Sequence, residues 1–146
     1  MTASETPMTP KVAVIGCGHW GKNHVRNFHA LGALAAVADA NPDLAASMSE
    51  TYDVPVKDYA AILTDPAISG VVIAAPAEAH AALAIQALKA GKHVFVEKPL
   101  ALTVAEAEGV LAAAEAAGRI LMVGHLLQYH PAFIKLTEMV RGGELG

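Results

Sequence analysis

The 146-residue chain carries a formal net charge of −4 and is 54% hydrophobic, with a mean hydropathy of +0.41. No unbroken apolar stretch reaches the ~18 residues of a membrane-spanning helix, and no basic stripe appears, which argues against a membrane or a nucleic acid as partner. The single cysteine, Cys17, excludes an internal disulfide and a cysteine-based metal cluster, and the seven histidines show no ligand spacing, so no metal site is expected.

Residues 1–10, MTASETPMTP, are polar and hold two prolines. They read as a flexible leader rather than a signal peptide, and a cytoplasmic location is expected. KVAVIG (11–16) is short, β-branched and bounded by glycine, the pattern of a buried strand. A helix follows over 19–31, with Val25, Phe28 and Leu31 at helical spacing and Gly32 as its stop. ALAAVAD (33–39) reads as the next strand, and Asn41-Pro42 opens a helix over about 42–52. A short extended piece at 54–56 and a short helix at 58–63 lead to the strand GVVIAA (70–75). Then come a helix over 78–90, the strand KHVFVE (92–97), and a helix opened by a capping box of Thr103 and Glu106 and closed by Gly118. RILMVGH (119–125) is the last strand, and Pro131 starts a helix reaching about Val140. Strands and helices alternate, and the strands are continuously apolar. That predicts an α/β fold, a doubly wound parallel sheet covered on both faces.

The first strand runs into GCGHWG, in which Gly16, Gly18 and Gly21 have the spacing G-x-G-x-x-G. Asp39 stands at the end of the next strand, 18 residues after Gly21, close to the ~20 expected of a carboxylate that accepts from an adenosine ribose. Gly16 permits the tight turn, Gly18 admits a diphosphate to the backbone, and Gly21 lets the helix lie against the strand. The helix start offers unpaired N–H groups to the phosphates. Cys17 reads as a small filler. His19 and Trp20 fall on the first helical turn, where Trp20 either packs or flanks the cofactor. A carboxylate at 39 favours NAD over NADP, and no arginine in ADANPD (38–43) offsets it.

Two further loops sit at the carboxyl ends of strands, where open α/β sheets bind ligands: AAPAEAH (74–80) and VEKP (96–99). With the glycine turn, the loop APAEAH, the tripeptide Glu97-Lys98-Pro99 and the pair Gly124-His125, the sequence resembles the Gfo/Idh/MocA oxidoreductases over residues 10 to 146. The family takes its name from glucose–fructose oxidoreductase and inositol dehydrogenase. The resemblance implies that nicotinamide sits against the Glu-Lys-Pro strand end. Lys98 then binds the substrate oxygen and helps move its proton, the base that alcohol oxidation needs. Glu97 orients Lys98 or touches the cofactor, and Pro99 fixes the chain. Ala75, Pro76 and His80 belong to the cofactor wall, although His80 reads equally well as an ordinary first-turn residue. His125 reaches the substrate or makes a polar contact to backbone. Without the resemblance, a lysine before proline at a strand end is usually a solvated surface residue.

Members of that family continue for about as many residues again, into a second domain that completes the substrate pocket and supplies a catalytic histidine. Residues 11–125 are therefore read as the dinucleotide-binding domain, and 126–146 as the start of the connection to a C-terminal domain absent from this chain. The expected function is NAD-dependent hydride transfer with the hydroxyl of a sugar, nucleotide-sugar or polyol, the full-length form being a homo-oligomer. The competing reading is a module that binds NAD without turnover.

Overall fold

A computed structural model describes residues 9–145; residues 1–8 of the expected leader lie outside the described residues. In chain order the elements are β1 (Val12–Ile15), α1 (Gly21–Ala30), β2 (Leu34–Ala38), α2 (Pro42–Tyr52), α3 (Tyr59–Thr64), β3 (Gly70–Ile73), α4 (Ala77–Lys89), β4 (His93–Val96), α5 (Val104–Ala117), β5 (Leu121–Val123) and α6 (Pro131–Arg141). A single 3-10 turn, Leu126–Tyr129, separates β5 from α6. The five strands form one parallel sheet in the order β2-β1-β3-β4-β5. β1 has β2 on one side and β3 on the other, so the strand order reverses beside it, and a crevice opens at the carboxyl ends there. The expected doubly wound α/β architecture is present.

Alternation along each strand divides the core into two layers. Ala13, Ile15, Val71, Ile73, Val94 and Val96 pack with Ala84 and Leu88 of α4 and with Val110 and Ala114 of α5. Val14, Val37 and Val72 point the other way, against Val25 and Phe28 of α1 and Met48 and Tyr52 of α2. Each fully buried aliphatic side chain contributes roughly 1.5–3 kcal/mol, so burial on both faces holds the helices more firmly than their own propensity does. Local chemistry sets the ends. Asn41 Oδ1 accepts from the Asp43 amide at 3.0 Å to start α2. Thr103 and Glu106 form the reciprocal capping box on α5.

The structure departs from the sequence reading in two places, and it buries one lysine. His19 and Trp20 lie in the turn before α1, with Trp20 as its N-cap, because the chain needs those residues to swing from the glycine turn into the helix. The end of the 119–125 segment is a 3-10 entry rather than strand. Lys92 is buried, its Nζ donating to the carbonyls of Asp65 at 2.6 Å and Ile68 at 2.7 Å, so it ties the loop before β3 to β4. The helix α6 buries none of its residues in the chain.

Two glycines of the turn answer to different demands. A Cβ on Gly21 would lie 1.8 Å from the Gly16 carbonyl oxygen, whereas one on Gly18 would meet nothing within 4 Å. Gly21→Ala is therefore expected to lose at least about 2 kcal/mol of stability, and Gly18→Ala to stay within about 0.5 kcal/mol. Chemical denaturation of the two variants measures this; equal losses would contradict the packing.

Candidate functional site

The site begins where β1 stops. The Gly16 amide donates to Ala38 O at 2.8 Å and the Ala74 amide to Ile15 O at 2.8 Å, so the ends of β1, β2 and β3 are drawn together. Gly16 has φ +94°, and a Cβ there would come within 2.6 Å of the Ala74 carbonyl carbon. Only glycine combines that dihedral with that approach. Beyond it, the N-terminus of the ten-residue α1 has no side-chain cap, unlike those of α2, α3 and α5. Among the described residues, the amides of Gly18, His19 and Trp20 have no protein acceptor. Three free donors, a helix start and an open space over Gly18 make a receptacle for an anion of diphosphate size.

Asp39 braces this turn from below. Its Oδ2 accepts from the Cys17 amide at 2.5 Å and its Oδ1 from the Asn41 amide at 2.7 Å. Both oxygens keep lone pairs for further donors. Asp39 borders a cavity of about 410 Å³ shared with Gly16, Lys57, Tyr59, Ala75 and Pro76. Lys57 Nζ is held there by Asp65 Oδ2 at 2.5 Å, and the side chain is two-thirds buried. Cys17 is buried beneath the turn, and burial together with the neighbouring Asp39 charge pushes its thiol up to about 11. At neutral pH it is an unreactive filler.

The second part of the site is the turn after β4. Lys98 is exposed at the mouth of a cavity of about 520 Å³, lined also by Trp20, Gly124, His125, Leu126, Leu127, Gln128 and Phe133. The fold thus brings Trp20, Lys98 and His125 together from three separate segments. The Lys98–Pro99 peptide is cis. Three polar or charged side chains are buried among the described residues, and two of them, Glu97 and His80, stand on either side of this turn. Glu97 Oε1 lies 2.7 Å from His24 Nε2, and Oε2 accepts from the Lys98 amide at 3.3 Å, so Glu97 meets the backbone of Lys98. His80 Nδ1 lies 2.7 Å from Pro99 O and Nε2 lies 2.7 Å from Ala75 O. The ring spans the two loops, and whichever nitrogen carries the proton donates to the carbonyl it faces.

His24 was not evident as a site residue. Its partner is 73 positions away, and a histidine on the first turn of an amphipathic helix carries no signal of that contact. Among the described residues there is no cluster of three or more metal-ligating side chains, and no helix is long and apolar enough to cross a membrane.

Comparison with known proteins agrees with this fold. The inositol 2-dehydrogenase of Salmonella paratyphi B is 34% identical over 146 residues, covering 95% of this chain and 44% of that protein. The UDP-N-acetylglucosamine 3-dehydrogenase of Acidithiobacillus ferrooxidans is 33% identical over 129 residues, with 88% and 41% covered. A 3-ketoreductase of Actinomadura kijaniata, solved with TDP-benzene and NADP, superposes with a TM-score of 0.84 at 30% identity, covering 95% of this chain and 46% of that one. The chain spans less than half the length of each. Residues 10–125 match the model of the GFO_IDH_MocA oxidoreductase family, NAD-binding Rossmann fold, and the chain belongs to that family.

Proposed function

We propose that the chain is the cofactor-binding part of an NAD-dependent dehydrogenase acting on the hydroxyl of a sugar, nucleotide-sugar or polyol. One juxtaposition carries the reading: three free amides at the start of α1 and the exposed Lys98 open toward the same end of the sheet, with Trp20 between them. The residues present fit a dinucleotide. Gly16, Gly18, His19, Trp20 and Gly21 form the diphosphate cradle, Asp39 takes the ribose hydroxyls, and Ala75 and Pro76 wall the adenosine side. Glu97 and Pro99 frame the nicotinamide end. His80 supports the cradle from behind, since both its nitrogens are engaged with backbone.

When bound, nicotinamide supplies the hydride acceptor. The chain's own residues then position and deprotonate the substrate: Lys98 Nζ holds the hydroxyl oxygen and takes its proton, and His125 contacts a neighbouring oxygen. Apolar Leu126, Leu127 and Phe133 limit water at that end of the cavity. The Asp39 charge disfavours a 2′-phosphate, so NAD is preferred over NADP. Inositol and UDP-N-acetylglucosamine dehydrogenases among the relatives support the substrate class. Full-length assembly as a homo-oligomer belongs to the same proposal.

A second reading, binding without turnover, is favoured by one observation: among the described residues, His125 is the single titratable side chain that lines the cavity besides Lys98. Two variants separate these possibilities. Asp39→Ala should weaken NADH binding about tenfold or more, the loss of hydrogen bonds to a charged group, and narrow the gap to NADPH; fluorescence titration with both coenzymes reads this, and unchanged affinities would remove Asp39 from the ribose site. Lys98→Ala should lower kcat on polyols or nucleotide sugars about 10²- to 10⁴-fold, with the NADH Kd within about threefold. Turnover equal to the wild type would exclude Lys98 from the chemistry, and no turnover by the wild type on any of these substrates would favour the binding module.

A further inference from the structure

His24 lies on the first turn of α1 and faces the sheet, its ring edge-on to Phe95 at a centroid distance of 5.1 Å. From there Nε2 reaches the buried Glu97 carboxylate at 2.7 Å. A carboxylate taken out of water must keep its partners, and Glu97 has two: His24 on Oε1 and the Lys98 amide on Oε2. Gly124 makes the space, since a Cβ there would stand 3.2 Å from Glu97 Oε2 and 3.1 Å from Phe95 Cζ. The carboxylate is thereby confined to one orientation, and that orientation is set by α1.

We propose that His24 is a positioning residue that joins the phosphate-facing helix to the lysine turn, holding the Lys98 backbone through Glu97 and carrying any movement of α1 to Lys98 when a dinucleotide binds. The relay rests on the dinucleotide reading; the hold on Lys98 in the free chain does not. α1 is the element whose free amides meet the ligand, and His24 sits three residues past Gly21, inside the turn that the ligand touches. On the far side of Lys98, the His80 ring stands between Pro99 O and Ala75 O. Lys98 therefore projects from a turn flanked on both sides by buried side chains, one of them tied through His24 to the helix that senses the cofactor.

Amide resonances and hydrogen exchange of the 146-residue chain test this with His24→Phe, which keeps the ring packing and removes the donor, and His24→Gln, which keeps a donor. In the free chain His24→Phe should shift the Lys98 amide resonance and speed its exchange about tenfold or more, and His24→Gln should hold both near wild type. On adding ADP, which carries the diphosphate but no nicotinamide to touch the lysine turn, the Gly18 and Lys98 amides should both respond in the wild type, and only Gly18 in His24→Phe. A Lys98 amide with wild-type shift and exchange in His24→Phe would overturn the proposal. If His24→Phe does not fold, His24→Asn, too short to reach Glu97, is read in the same way. If ADP shifts no glycine-turn resonance in the wild type, the dinucleotide reading and the relay fail, while the exchange comparison still decides whether His24 holds Lys98.

Discussion

At Gly21 the backbone of a helix stands against the carbonyl of Gly16 at a distance no side chain tolerates, and the rest of the site follows from that contact. It sets α1 directly over the end of β1 and points its uncapped N-terminus across the crevice where the strand order reverses. It also carries His24 to the height of Glu97 and Val25 into the core. A close approach between two stretches of backbone thus places both a set of free amides and the support of a lysine turn.

The surroundings divide into parts that stiffen and parts left unsatisfied. Asp39 and His80 each meet backbone from another segment, and Glu97 meets the His24 side chain of α1, so the loops at the strand ends are tied to their surroundings. Against this frame the amides of Gly18, His19 and Trp20, the Lys98 amine and the His125 ring stand open. Buried polar groups in a folded chain are almost always paired, and among the described residues every buried side-chain polar atom has a partner, whereas the open groups lie at the accessible crevice. Preorganisation of this sort limits what ordering a ligand must cost. The apolar residues of the 3-10 turn and α6 stay exposed beside it.

Much of this was legible in the residues. Strand and helix boundaries are written by local chemistry: β-branched runs, Pro42 in a first turn, Thr103 and Glu106 as reciprocal caps, glycines with positive φ at 32, 91 and 118. The glycine spacing with Asp39 pointed to the cradle, and Glu97-Lys98-Pro99 to the second loop. The supports were not legible. His24 and Glu97 are a long-range pair with no local signature, and they meet only once α1 lies over β1 and the His24 ring reaches Phe95 beside Glu97. His80 read as a cofactor-wall residue or as an ordinary first-turn residue, and neither reading gave its ring lying between two carbonyls. Lys92 has the composition of a surface residue and is buried because two carbonyls before β3 need donors. Spacing reveals what a segment does for itself, and partners across the sheet remain hidden until the fold is known.

The central claim is that the free amides at the start of α1 are a diphosphate receptor. A crystal structure of the chain with NADH tests it most directly. The account predicts diphosphate oxygens within hydrogen-bonding distance of the Gly18, His19 and Trp20 amides, with the adenosine ribose on Asp39. A coenzyme bound elsewhere, or those amides filled by the protein's own side chains at saturating NADH, would contradict it.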